Sequence, residues 1–158
     1  MSGKKFPKVR HPYKNHFVEW KDKQSVAVFR GASTGKCAKN NLRIELCKIK
    51  SDYIDAGITH FNLRPRINYI HNTPTLTCIN KELIDIHKKE FLSPYQQSTY
   101  KYIIHIAGHT AAYRLSYELG MGSVILLVKG GYKLWYQSKL TAFNYKNADK
   151  AHYIPIKK

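Results

Sequence analysis

The second half of the chain contains a strand, a helix and another strand in close succession. The run KYIIHIAG is rich in β-branched residues and ends in a glycine, which predicts a buried strand over 101–107. HTAAYRLSYELG predicts a helix over 109–120, and SVILLV predicts a second buried strand over 123–128. This βαβ unit constrains the fold strongly, because it requires parallel strands covered by helices.

The first half repeats the pattern in the stretch VFRGASTGKCAKNNLR. SVAVFR, residues 25–30, predicts a buried strand that stops at Gly31. The following residues predict a helix that begins at Ser33 or Thr34, because hydroxyl side chains cap helices and the later apolar residues have helical spacing. A strand, a glycine loop and a helix are therefore expected here too.

The middle of the chain gives weaker patterns. IDAGIT over 54–59 predicts a short strand, and NKELIDIHKKEF over 80–91 predicts an amphipathic helix. The intervening 60–79 contains prolines and many polar residues, which favours an irregular connection.

Together these elements predict the α/β class, with a Rossmann-like, mostly parallel sheet and helices on both faces. Residues 26–30, 101–107 and 123–128 are expected to be strands of that one sheet. A length of 158 residues fits one domain. We assign it to 25–158, after a basic lead-in over 1–24 that ends in a short turn or helix.

Charge indicates the kind of partner. Lys and Arg number 27 against 10 Asp and Glu, and the net charge of +17 favours a nucleotide, a nucleic acid or an anionic surface. The three cysteines form no CxxC pair, so neither a disulfide framework nor a zinc site is expected. The sequence shows no apolar run near the roughly 20 residues of a membrane span and no signal peptide, so we expect a soluble protein.

The ligand site is expected at the carboxyl ends of the parallel strands. Gly31 and Gly35 would let backbone amides approach an anion, and the start of the next helix would add free N–H groups. The loop GASTGK has neither the Walker spacing nor a GxGxxG pattern, so an ordinary strand-to-helix turn remains an alternative.

Two arginines strengthen the hypothesis of a phosphate site. Arg43 and Arg114 both follow predicted strands at this edge, and two guanidiniums can bind a diphosphate in bidentate fashion. The alternative for each arginine is a solvated helix face.

Six blocks in order carry a family resemblance: FRGASTG, NLRIELC, YIDAGIT, YKYIIHIAGHTAAYRL, MGSVILL and HYIPIK. With them, the chain resembles glycosyltransferase family 90, the CAP10-like or KDEL-motif protein O-glucosyltransferases, over about residues 15–158. The resemblance implies inverting, metal-independent transfer from a UDP-sugar by a two-domain GT-B fold, with no further cofactor. The blocks look like its donor-binding half.

The resemblance also implies roles for individual residues. Arg43 and Arg114 would clamp the diphosphate, and the uridine would lie near Asp55 and Ala56. The remaining donor-binding positions are the phosphate-loop residues Arg30, Gly31, Ser33 and Thr34, the donor-facing residues Gly108, His109 and Thr110, and Ser123 at the next strand.

No residue matches the family's catalytic aspartate, which lies upstream of the FRG block. Glu19 and Asp22 are the only carboxylates before Phe29, and the catalytic residue stays unassigned. We therefore expect a donor-binding domain that needs an acceptor half or another chain, with a protein or glycan as acceptor.

Two other functions remain open. The fold could serve as a non-catalytic scaffold, for example in a viral assembly, where the positive charge would face acidic neighbours. A nucleic-acid-binding protein would use the charge together with 12 Tyr, 6 Phe and 2 Trp for stacking. The cytoplasm or a viral assembly is the expected location.

Overall fold

The computed structural model of the protein describes residues 18–35, 41–62, 66–70, 73–77 and 86–157. Its strands are β1 (Gln24–Gly31), β2 (Ile54–Ile58), β3 (Arg66–Ile70), β4 (Thr73–Thr77), β5 (Tyr100–His105), β6 (Val124–Val128) and β7 (Ile154–Ile156). Its α-helices are α1 (Leu42–Lys48), α2 (Pro94–Ser98) and α3 (Leu115–Glu118).

Five strands form one sheet in the order β2, β1, β5, β6, β7, and every neighbouring pair is parallel. The predicted α/β fold with a Rossmann-like parallel sheet is therefore confirmed. The strands expected at 26–30, 101–107 and 123–128 are β1, β5 and β6 of this sheet, and the strand expected at 54–59 is β2.

The core lies on both faces of the sheet because side chains alternate along each strand. Val28 and Ile103 pack on one face, which α3 covers through Leu115. Phe29 and Ile104 pack on the other face, against Leu46 of α1. Helices therefore cover both faces, as the continuous apolar runs of the strands predicted.

Both helices at the carboxyl edge are shorter than expected. The helix predicted over 109–120 is α-helical only at Leu115–Glu118, because the backbone after β5 turns back and Gly108 donates to the carbonyl of Thr110. The helix predicted from Ser33 or Thr34 begins only at Leu42, where Asn41 is the cap and accepts from the amide of Arg43 at 3.1 Å. Residues 36–40 of that prediction lie outside the described residues.

The predicted helix over 80–91 is wrong where it can be compared. Residues 80–85 lie outside the described residues, and 86–91 are not helical. Lys88 instead pairs in parallel with Ile58 of β2, and the amide of Lys89 donates to the carbonyl of Ile58. The open edge of β2 offers backbone partners that an isolated amphipathic pattern does not reveal.

The middle of the chain also contains regular structure that the sequence did not predict. β3 and β4 lie within the connection expected over 60–79 and pair antiparallel. α2 has a capping box formed by Ser93 and Gln96 with a proline at the start, a signal that SPYQ carries in the sequence.

The amino edge of the sheet is closed by a buried lysine. Residues Trp20–Asp22 form the expected short helix, of 3-10 type, and Lys23 follows it. The Lys23 ammonium donates to the carbonyls of Ser98 and Met121 and to Ser123 Oγ, and burial lowers the pKa of Lys23. Residues 1–17 of the lead-in expected over 1–24 lie outside the described residues.

The outer margin of β7 is closed by a proline and a loop. Ile156 accepts from Lys129 of the chain after β6, so its peptide faces the sheet and that of Pro155 faces outwards. The preceding outward position, Tyr153, accepts from the amide of Phe143. Among the described helices, none has the length and hydrophobicity to cross a bilayer.

Candidate functional site

The guanidiniums of Arg43 and Arg114 meet at the carboxyl end of β1. Arg43 lies in the first turn of α1, whereas Arg114 precedes α3 on the other side of the sheet. The Nη1 atoms lie 3.4 Å (Arg43) and 3.3 Å (Arg114) from the point where a Cβ on Gly31 would stand. Both guanidiniums also flank the Phe29 ring, at 5.8 and 5.1 Å from its centroid. The structure therefore brings the two arginines together.

Arg43 is buried, and its guanidinium's hydrogen bonds to described residues all go to neutral oxygens. Its Nη1 donates to the carbonyl of Ala32 at 3.1 Å and to Thr34 Oγ1 at 2.6 Å, and its Nη2 donates to the carbonyl of Ile106 at 2.7 Å. Its Nε has no hydrogen-bond partner among the described residues. Burial, and then the charge of Arg114, lower the pKa of Arg43 to about 10, so the guanidinium stays charged at neutral pH.

Arg114 is held from both ends of its guanidinium. Nη1 donates to the carbonyl of Arg30 at 2.5 Å. Nε lies 3.0 Å from Oε1 of Glu118, as an ion pair rather than an aligned hydrogen bond. Nη2 is buried and has no hydrogen-bond partner in the described part of the chain. Arg114 thus retains buried donors, and its only carboxylate contact there is Glu118.

Glu118 in turn contacts the last residue of β5. Its Oε2 lies 2.5 Å from His105 Nδ1, and the side chains of Glu118 and His105 are both almost fully buried. Sequence reasoning missed both contacts of Glu118. The contact with Arg114 could have been found, because these two residues have the four-residue spacing typical of helical ion pairs.

The glycines at this edge make room for side chains. The amides of Ser33, Gly35 and Gly108 already donate to His60, His109 and Thr110, so they are not free for an anion. The first turn of α1 lies at this edge, since its N-cap Asn41 donates to the carbonyl of Ser33, but the Asn41 side chain already accepts from the amide of Arg43. The absence of a side chain at Gly31 instead leaves space for the two guanidiniums.

Two more of the expected residues, Ser33 and His109, hold the loop after β1 in place. Ser33 is fully buried and its Oγ accepts from the amide of Asn62 at 2.8 Å. His109 Nδ1 accepts from the amide of Gly35 at 3.1 Å, and Nε2 is buried without a partner among the described residues. The first contact fixes the loop after β1 to the chain after β2, and the second fixes it to the loop after β5.

Two hollows open beside the arginines. One, of about 410 Å³, is lined by residues that include Gly31, Arg114 and Tyr117. The other, of about 110 Å³, is lined by residues that include Arg43 and Gly108. A ligand at the carboxyl edge therefore has space beside each of the two arginines.

The structure does not bring the remaining expected side chains to this edge. Arg30 donates to Asp55 Oδ2 at 2.8 Å, and Asp55 also accepts from Lys89 at 2.8 Å. Burial would raise the pKa of Asp55, but these two partners outweigh it and hold the pKa at about 2. Ala56 is part of the core, and Ser123 lies at the amino edge beside Lys23.

The described residues contain no group of three or more His, Cys, Asp and Glu side chains placed to hold a metal ion. A parallel α/β sheet with cationic side chains at its carboxyl edge is typical of proteins that bind anionic ligands there. The model of Glycosyl transferase family 90 matches residues 6–158, and the chain belongs to this family.

Relatives of the chain occur in viruses. Uncharacterized protein 035R of Invertebrate iridescent virus 3 is 41% identical, and the match covers 96% of this chain and 14% of that protein. Uncharacterized protein 179R of Invertebrate iridescent virus 6 is 37% identical, covering 96% of this chain and 14% of that protein. Uncharacterized protein 027R of Frog virus 3 (isolate Goorha) is 31% identical, and the match covers 94% of this chain and 16% of that protein. The chain therefore spans about one seventh of the length of these relatives.

Proposed function

We propose that this chain is a donor-binding glycosyltransferase domain in which Arg43 and Arg114 hold the diphosphate of a UDP-sugar. Membership of the family supports a sugar donor and an acceptor as ligands. The observation that carries the proposal is the meeting of two guanidiniums from opposite faces of the sheet at Gly31.

The electrostatics of this pair favour an anionic ligand. Two neighbouring cations repel, and after burial of the Arg43 side chain the charge of Arg114 is the next cause of the lowered pKa of Arg43. Glu118 is the only carboxylate with a described contact to either guanidinium. A diphosphate would supply further negative charge. Its oxygens would also accept hydrogen bonds from Arg43 Nε and Arg114 Nη2, which have no partner among the described residues.

The same contacts would assist transfer of the sugar. As the bond between the sugar and the diphosphate breaks, negative charge accumulates on the leaving UDP. Two preorganised guanidiniums stabilise that charge and take the role that a metal ion fills in other transferases. The acceptor hydroxyl needs a base, and we propose that an acceptor half or another chain provides it.

The test is a calorimetric titration of the chain with UDP, with uridine as the ligand that lacks the diphosphate. Arg43→Ala and Arg114→Ala should each weaken UDP binding by about 1.5 to 3 kcal/mol, or about 10- to 150-fold, the usual scale for hydrogen bonds to charged groups. Lys48→Ala is the matched control, since it removes a cation from α1 that is paired with Glu45 away from the edge.

Equal affinity for uridine and UDP, or equal losses in Lys48→Ala and Arg43→Ala, would refute the diphosphate clamp. No binding at millimolar UDP would favour the scaffold. Salt-dependent retention on nucleic acid would favour the nucleic-acid-binding protein.

A further inference from the structure

We infer that Glu118 and His105 are positioning residues that fix the guanidinium of Arg114 at the carboxyl edge; this rests on the proposed function. Glu118 is 1% exposed, and a buried carboxylate is costly unless both of its oxygens are satisfied. Here Oε1 contacts Arg114 and Oε2 contacts His105, so the buried Glu118 carboxylate links the two other side chains.

The geometry of these contacts determines which part of Arg114 a ligand meets. Glu118 occupies the Nε side of the guanidinium, and the carbonyl of Arg30 occupies Nη1. Nη2 remains as the donor without a partner in the described residues. Because a guanidinium is planar, holding two of its nitrogens also fixes the direction of the third.

His105 connects the arginine to the sheet. It is the last residue of β5 and is 3% exposed, so its position follows that of the strand. A carboxylate only accepts hydrogen bonds, and His105 Nδ1 therefore donates to Glu118. Through Glu118, the side chain of Arg114 is anchored to a strand as well as to its own short helix.

Glu118 also lowers the repulsion between the two cations. Its charge raises the pKa of Arg43, whereas Arg114 lowers it. Removal of Glu118 should therefore loosen the guanidinium of Arg114 and push it away from Arg43. Both effects act on ligand affinity through Arg114.

The experiment measures UDP affinity in a double-mutant cycle between Glu118→Gln and Arg114→Ala. We expect Glu118→Gln to weaken UDP binding about 10-fold in the wild-type background and less than about 2-fold in the Arg114→Ala background. Equal weakening in both backgrounds would indicate a general loss of structure and would overturn the inference. Glu45→Gln removes an exposed carboxylate of α1 and should leave the affinity unchanged.

A second measurement does not depend on UDP. The ¹⁵N order parameter of Arg114 Nε–Hε should be that of a rigid group in the wild type and should fall in Glu118→Gln, with Arg43 as internal reference. If the wild type does not bind UDP, the proposed function fails. The order parameter of Arg114 Nε–Hε then decides by itself whether Glu118 positions Arg114.

An unchanged order parameter overturns the inference. If Glu118→Gln does not fold, the pair His105→Leu and His105→Asn replaces it. Asn retains an N–H donor close to the Nδ1 position, so it should restore both affinity and rigidity that Leu loses.

Discussion

Gly108 is the residue at which one methyl group should disturb the edge most clearly. A Cβ at this position would stand 2.5 Å from Thr34 Oγ1, which is closer than side-chain atoms approach each other. Relief requires Thr34 to rotate, and rotation breaks its 2.6 Å hydrogen bond from Arg43 Nη1. Hydrogen bonds to charged groups contribute about 1.5 to 3 kcal/mol, so Gly108→Ala should lower the free energy of unfolding by about that amount.

The assay is denaturant unfolding of Gly108→Ala, Thr34→Ala and the double variant. Thr34→Ala removes Oγ1, so the added cost of Gly108→Ala should fall below about 1 kcal/mol in that background. Some cost should remain, because Arg43 Nη2 and Thr34 Cβ both lie 3.3 Å from the new methyl group. If Gly108→Ala costs the same with and without the hydroxyl, the crowding argument is wrong.

Three further outcomes follow from the described contacts. The pKa of Asp55 in the folded protein is about 2, below its ordinary 3.8. The ion pairs of Asp55 with Arg30 and Lys89 therefore stabilise the fold above about pH 4, and this stabilisation is lost as the pH falls from 4 to 2. Asp55→Asn should remove about 1 to 2 kcal/mol of this stability at pH 7 and flatten that acid transition in unfolding titrations, allowing for screening of a side chain that is 27% exposed. Burial raises the pKa of Cys47 to about 11 from 9.0, so at pH 8 it should react with iodoacetamide about 100-fold more slowly than a cysteine peptide, as measured by peptide-resolved mass spectrometry; equal rates would contradict this. The described hollows at the edge are lined by no carboxylate, so the isolated chain should transfer little or no sugar from a UDP-sugar panel, and robust transfer dependent on Arg114 would show that a base was overlooked.

β1, β5 and β6 could be predicted from the sequence because their apolar runs and the glycines at their ends are local signals, whereas β3, β4 and β7 were not among the predicted strands. The helices at the carboxyl edge could not be bounded in this way. Their starts depend on contacts between loops, such as the bond from Asn41 Nδ2 to the carbonyl of Ser33 and the bond between His109 and Gly35. The pairing of Lys88 depends on the open edge of β2, which is formed by residues distant in sequence.

The residues of the candidate site also divide into those that local sequence signals could place and those that depend on the fold. Arg43 and Arg114 could be placed at one edge because the carboxyl ends of parallel strands share it. Asp55 could not be placed, because its role is decided by Arg30 and Lys89, which the fold brings to it from either side. The contact between His105 and Glu118 depends on where α3 begins, and the sequence predicted that helix too long.

The closed margins of the sheet have a consequence for the behaviour of the protein at high concentration. An exposed edge strand with free N–H groups is a template for edge-to-edge aggregation. At β7 the outward peptide is that of Pro155, which has no N–H to donate, and the outward carbonyl of Tyr153 already accepts from Phe143. At β2 the neighbouring segment around Lys88 occupies part of the edge. Copies of this domain should therefore resist joining through continuous sheets even when they are crowded together.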